Sequence, residues 1–174
     1  LAKIAGCRVV GIAGSKAKVD YVVKELGFAA GIDYRAEKDL DAALGRTCPD
    51  GIDVYFDNVG GAIYDAVSRR INLWARLAIC GSISQYNLAK PELAPYNTGF
   101  VVGKRARVQG FIVWDFENRW GPALRHLAGW YGDGRLKEKQ DIVQGLENAP
   151  KAFTRLFKGE NFGKLQIQIA PERK

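Results

Sequence analysis

The 174-residue sequence predicts an α/β protein built on a doubly wound parallel sheet. Short apolar runs of strand length alternate with helix-length amphipathic stretches from the first residues to about residue 131, which is how a parallel sheet with crossover helices reads. Three of those runs end in polar or glycine-rich turns, IAGSKAK, FDNVGG and CGSISQYN. Crossovers of this kind are right-handed and stack helices on both faces of the sheet.

The first strand is placed at residues 8–13. In the stretch that follows, SKAKVDYVVKELG, Val19, Val22, Val23 and Leu26 fall on one face of a helix at i, i+3, i+4 and i+7. Ser15 suits the N-cap, where a hydroxyl accepts from a freed backbone N–H, and Gly27 suits the stop. A second strand is expected at 31–33, and DLDAALGRTC is long enough for the next crossover. IDVYFD at 52–57 is the third strand, with Gly61 opening the helix GAIYDAVSRRI. Strands at 75–80 and 108–113 complete the sheet. After Gly134 the rhythm changes, since RLKEKQDIVQGLE reads as a basic, extended segment. A short helix follows, with Pro150 in its first turn, an apolar stripe of Ala149, Ala152, Phe153, Leu156 and Phe157, and Gly159 as its end. The terminal KLQIQIA alternates like a half-exposed edge strand.

Composition narrows the function classes. With 47% hydrophobic and 26% charged residues the chain has the make-up of a soluble globular protein. No apolar run approaches the roughly 18 to 20 residues of a membrane-spanning helix, and LAKIAGCRVV lacks the apolar core of a signal peptide. The expected partner list therefore holds no membrane, and the expected compartment is the cytoplasm. Cys7, Cys48 and Cys80 are odd in number and widely spaced, so they are expected to be reduced thiols rather than disulfides or zinc ligands, and no metal is expected. The single His126 lies in a helical pattern and is assigned no chemistry. A net charge of +7 raises the question of nucleic acid. The basic residues are scattered, however, and no nucleic-acid-binding signature accompanies them; an anionic small molecule explains the balance equally well.

In an open parallel sheet ligands bind outside the carboxyl ends of the strands. An acid beside an adenosine ribose would bind its hydroxyl and repel a phosphate. The turn after the first strand has no acid; Gly14 and Ser15 lead into a helix N-terminus carrying Lys16 and Lys18. Free N–H groups, a hydroxyl and ammonium charges there favour NADP over NAD. The plainer reading is a cap followed by a solvated basic face. FDNVGG sets Asp57 and Asn58 at a strand end before two glycines, suited either to ribose and carboxamide contacts or to an ordinary Asx turn. In CGSISQYN, Gly81 permits close approach, Ser82 and Ser84 offer hydroxyls, and the Tyr86 phenol either donates to an oxyanion or simply packs.

Those three segments, in this order and together with FIVWDF at 111–116 and KGENFGK at 158–164, resemble the zinc-independent medium-chain dehydrogenase/reductase family. The branch they resemble holds the prostaglandin reductases, leukotriene B4 12-hydroxydehydrogenases and alkenal double-bond reductases. The resemblance implies a Rossmann-like nucleotide-binding domain, NADP(H) as cofactor, and reduction of the carbon–carbon double bond of enals and enones. It implies that Lys18 meets the 2′-phosphate, beside the Ser15 hydroxyl already read at that helix start, that Tyr34 packs by the adenosine and that Asn58 contacts the cofactor. By the same resemblance Cys80, Gly81, Ser82, Ile83 and Ser84 border the ribose and nicotinamide, and Phe111, Ile112 and Val113 line the nicotinamide pocket. Asn161 would reach the cofactor from the last loop, and Tyr86 would be the catalytic donor. A quinone reductase on the same scaffold and a non-catalytic NADPH-binding sensor are the alternatives. The family also implies a homodimer joined through edge strands.

One departure stands out. Family members begin with a substrate domain, then a strand and a GxxGxxG-like turn, and LAKIAGCRVV resembles the end of the helix after that turn. The chain is therefore expected to be part of a longer protein, with 1–135 an NADP-binding domain short of its first strand and 136–174 belonging to the catalytic side. A sheet without that central member would leave long edges open on its neighbours.

Overall fold

The computed structural model describes residues 1–90, 93 and 98–171. The chain divides into two compact units, Cys7–Pro122, and Leu1–Gly6 with Ala123–Lys174.

In the first unit β1 (Val10–Ala13) and β2 (Ala30–Asp33) pair in parallel, Val10 opposite Ala30 through Ala13 opposite Asp33. Between them runs α1 (Lys16–Lys24), capped by the Ser15 side chain as expected. Its valine face lies on the strand glycines: a Cβ on Gly31 would stand 2.7 Å from Val19, and one on Gly11 would stand 3.1 Å from Val22. The helix ends at Lys24, short of Gly27, which carries the chain round with φ 67°. Next come α2 (Leu40–Thr47), capped by Asp39, and β3 (Ile52–Asp57) at its expected bounds. Then follow α3 (Gly61–Ser68) and β4 (Ile71–Ile79). A short helix, α4 (Gly99–Lys104), precedes β5 (Arg107–Gly110). The core joins Ile32, Ala43, Leu44, Ile63, Val67, Ile71 and Leu77, so one apolar cluster underlies β2, β4, α2 and α3.

Every strand pairing is parallel, as the alternation of elements requires. The strands nevertheless form two sheets in this unit, β1-β2 and β3-β4-β5, rather than one. Among the described residues β1 pairs only with β2 and β3 only with β4, which leaves one open edge on each. Val54 and Phe56 of β3 are more than half exposed, while Asp57 is buried.

Two strand bounds differ from expectation by more than two residues. β4 starts at Ile71, ahead of residue 75, because Ile71 pairs with Ile52 before the register jumps to Arg76 opposite Val54. Trp74 sits in that irregularity with φ 63°, so the chain there leaves the alternation that marks a strand. β5 stops at Gly110, short of 113. The Phe111 amide still donates to Ile79 O at 3.1 Å, but the Ile112 amide donates to Asp115 at 3.0 Å and opens a 3₁₀ helix over Val113–Arg119. A local carboxylate thus draws the apolar FIV out of the sheet.

The long α5 (Trp120–Gly132) leads into the second unit. There β6 (Gln140–Gln144) and β7 (Lys164–Gln168) form a parallel pair linked through α6 (Ala149–Lys158), so the segment expected only to be extended contains a strand. Pro lies in the first turn of α6 and Gly159 closes it with φ 66°. Of the expected stripe, Ala152 is buried but Phe153 and Phe157 are exposed, so the pattern is helical while most of its face lacks a cover among the described residues. Asp141 Oδ2 accepts from Arg155 Nη2 at 2.7 Å and from the Phe162 amide at 3.0 Å, tying β6 to α6 and to the loop before β7. The Phe162 amide first, and then the Arg155 charge, hold the Asp141 carboxyl below the usual carboxylate range. Among the described residues no helix is long and apolar enough to cross a membrane.

Candidate functional site

Parallel pairing brings the carboxyl ends of β1 and β2 together, and likewise those of β3, β4 and β5. The expected site residues gather at these ends in two groups.

The first group lies at β1 and β2. The Tyr34 amide donates to Ala13 O at 3.1 Å, which fixes Tyr34 beside the end of β1. Its ring and hydroxyl lie against Gly14, where a Cβ would come within 3.0 Å. Ser15 accepts from the Lys18 amide at 3.3 Å, so it caps α1, and its O–H hydrogen still has a donor role open. The structure separates the two lysines that the sequence left equivalent. Lys16 is exposed and pairs with Asp20 at 2.6 Å, while Lys18 is part-buried. Burial first, and then the nearby Arg35 guanidinium, hold the Lys18 ammonium below the ordinary lysine range. Arg35 was not singled out in the sequence.

The second group is laced together by backbone. Asp57 Oδ1 accepts from the amides of Val59, at 2.7 Å, and Gly60, at 3.0 Å, which makes FDNVGG an Asx turn built on a buried carboxylate. Gly60 follows with φ 70°, a conformation that suits glycine. The carbonyls of this turn then hold the next loop: Asp57 O accepts from Cys80 N at 2.7 Å, Asn58 O from Ile83 N at 3.0 Å and Val59 O from Ser84 Oγ at 2.6 Å. The loop folds back so that Tyr86 Oη accepts from the Ser82 amide at 3.1 Å. A Cβ on Gly81 would lie 2.8 Å from that phenol oxygen and 3.4 Å from Asn58 Oδ1. Gly81 thus lets a phenol and an amide oxygen converge over bare backbone. Burial, followed by the neighbouring Asp57, raises Tyr55 and Tyr64 above the usual phenol range, so both stay protonated beneath the turn.

Phe111 adjoins this group through Ile79 O and lies between Phe56, tilted with centroids 6.1 Å apart, and Phe116, edge-on at 5.9 Å. Ile112 and Val113 follow it and are exposed. Asn161 belongs to the second unit, where its side-chain amide donates to Gly163 O at 2.9 Å.

A concavity at the amino ends of β3 and β4, lined by Asp41, Arg70, Asn72 and Lys104 among others, is a brace rather than a site. Arg70 grips Asp41 there through two hydrogen bonds, of 3.0 Å and 2.6 Å, so its charge is already answered. Among the described residues no three His, Cys, Asp or Glu side chains gather as a metal would require, and Cys7, Cys48 and Cys80 are free thiols.

Comparison with known proteins agrees with this geometry. Residues 1–129 match the family described as zinc-binding dehydrogenase. The chain is 43% identical over 171 residues to an NADP(+)-dependent 2-alkenal reductase of Nicotiana tabacum, covering 98% of this chain and 50% of the relative. It is 43% identical over 174 residues to prostaglandin reductase 1 of Oryctolagus cuniculus, covering 97% of this chain and 48% of the relative. The crystal structure of CurA from Vibrio vulnificus in complex with NADPH superposes with a TM-score of 0.92 at 39% identity, over 98% of this chain and 52% of that one. The chain thus spans about half the length of the curated relatives it matches. With the matched stretch and these relatives in agreement, the chain belongs to the zinc-binding dehydrogenase family, in the medium-chain branch that holds the alkenal and prostaglandin reductases.

Proposed function

We propose that the chain is the nucleotide-binding part of an NADPH-dependent oxidoreductase that reduces the carbon–carbon double bond of α,β-unsaturated aldehydes or ketones. The observation that carries this reading is the Tyr86 phenol, 61% exposed at the end of β4, with its oxygen receiving the Ser82 amide. An N–H on the oxygen leaves the hydroxyl hydrogen to point outward and strengthens it as a donor. The names of the relatives, and the NADPH held by the CurA structure, support the cofactor and the substrate class.

The glycines fit such a ligand, because Gly14 and Gly81 leave backbone bare at two strand ends. NADPH, when bound, supplies the hydrogen and electron pair taken up by the β-carbon of the substrate. Ser15 and Lys18 hold its 2′-phosphate, and Tyr34 packs by the adenosine. Asn58 and the stretch 80–84 border the ribose and nicotinamide, and Phe111, Ile112 and Val113 form an apolar wall that excludes water. Tyr86 donates to the carbonyl oxygen as it gains charge, which stabilises the developing enolate until the α-carbon is protonated.

In this reading residues 1–135 are the NADP-binding domain and 136–174 belong with the catalytic side, a division supported by the separate β6-β7 pair. Three free thiols accord with a cytoplasmic protein. The exposed edge of β5 suits a homodimer, which light scattering on the full-length protein would show as twice the monomer mass.

Tyr86→Phe in the full-length protein tests the reading. Loss of one oxyanion donor is expected to lower kcat for an enal about a hundredfold with NADPH affinity unchanged. An unchanged kcat would remove Tyr86 from the chemistry. Absence of enal turnover by the wild type, with quinones reduced instead, would transfer the chain to the quinone reductases.

A further inference from the structure

A glycine in a tight loop answers to its backbone conformation or to a neighbour that fills the space of a side chain. Gly60 and Gly61 meet the first condition, with φ 70° and 58°. Gly81 does not, because its φ lies outside the positive range and its backbone would accept alanine. The space is what is taken. A Cβ there would stand 2.8 Å from Tyr86 Oη, 3.4 Å from Asn58 Oδ1 and 3.6 Å from Asn58 O, and only the first of these is a collision. No ring carbon of Tyr86 is among those three nearest atoms.

The backbone on either side of Gly81 is held from below. Asp57 O accepts from the Cys80 amide at 2.7 Å and the Gly81 amide at 3.3 Å, and Asn58 O accepts from the Ile83 amide at 3.0 Å. Val59 O accepts from the Ser84 amide at 3.2 Å and from the Ser84 hydroxyl at 2.6 Å. The Tyr86 side chain, by contrast, is largely exposed, and its oxygen is held by the Ser82 amide at 3.1 Å. A side chain at 81 would therefore displace the phenol and leave the loop standing.

We infer that Gly81 is a positioning residue, whose missing side chain is the seat of the Tyr86 phenol. This rests on the reading of Tyr86 as the donor to the substrate carbonyl, and it says what sets that donor in place. A hydroxyl stabilises developing charge only from within hydrogen-bond reach, so a displacement of about 1 Å forfeits much of the effect. With alanine at 81 the phenol oxygen must retreat from 2.8 Å to an ordinary contact of at least 3.4 Å. Its bond from the Ser82 amide, already 3.1 Å long, has little slack to absorb that move. Phenylalanine at 86 has no oxygen to displace and leaves room for the same methyl group. The two positions are thus coupled through one atom, Tyr86 Oη.

The test is a double-mutant cycle in the full-length protein, with wild type, Gly81→Ala, Tyr86→Phe and the double variant compared for kcat with an enal and for NADPH affinity by fluorescence titration. Gly81→Ala is expected to lower kcat about tenfold or more with NADPH affinity unchanged. In the Tyr86→Phe background the same substitution is expected to cost less than about twofold. An equal loss of kcat in both backgrounds, or no loss in either, would overturn the assignment. Weaker NADPH binding in both backgrounds would also overturn it, by showing that the glycine makes way for the cofactor and not for the phenol. Failure of Gly81→Ala to fold would do the same, since the loop rather than the phenol would then have given way. A Tyr86→Phe variant as fast as wild type would instead refute the catalytic reading on which the assignment rests.

Discussion

Asp57 is the only carboxylate fully buried among the described residues, and its Oδ1 accepts from the two amides of the turn it shapes, those of Val59 and Gly60. Removing it in Asp57→Ala leaves those part-buried amides without their acceptor beneath the loop that carries Tyr86. The expected loss is about 2–4 kcal/mol of stability by urea denaturation, whereas Asp57→Asn, which keeps an acceptor oxygen in place, is expected to retain most of it. Equal losses in the two variants would mean that the charge, and not the acceptor, holds the turn. FDNVGG could be read as an Asx turn from its residue types alone, and it is one. What the residue types do not reveal is that the carbonyls of 57–59 also hold residues 80–84, since that pairing depends on β3 and β4 lying side by side. Arg35 stayed hidden for the same reason. A Tyr-Arg pair after a four-residue strand obeys no spacing rule, and only the β1-β2 pairing brings it beside the end of β1.

Among the elements, those whose signal is local were legible. Ser15 caps α1, Asp39 caps α2, and Gly159 ends α6, each through an interaction within a few residues of sequence. The start of β4 and the end of β5 were not, because the first depends on a register jump around Trp74 and the second on Asp115 capturing the Ile112 amide. α4, six residues with two glycines, offered too little periodicity to notice. Asp141 allows a pH prediction for the second unit. Its carboxyl is depressed by the Phe162 amide and by Arg155, so the stabilisation it lends is present above the unfolded Asp value of about 3.9 and is lost as pH falls through the lower folded value. Amides of β7 are expected to lose hydrogen-exchange protection in acid before those of β4, and Asp141→Asn is expected to expose them already at neutral pH. Protection of β7 that is indifferent to both changes would show that the Asp141 contacts do not hold the pair.

At the scale of the chain, the parallel α/β class was legible throughout, but the break between β1-β2 and β3-β4-β5 was legible only through the family resemblance, which left the sheet one strand short. Open edges on β1 and β3, with Val54 and Phe56 exposed, fit a chain that spans about half the length of its relatives. Such a chain by itself is expected to bind NADPH weakly, because backbone donors for a pyrophosphate come from a glycine-rich turn of a kind these residues lack. Weak binding is still visible in amide chemical shifts. Titration of NADPH into the 15N-labelled chain is expected to move Ser15, Lys18 and Arg35 together with Gly81, Ile83 and Ser84, with one common dissociation constant for both segments. Shifts confined to one segment, or two unrelated binding curves, would contradict a single nucleotide held at both sets of strand ends.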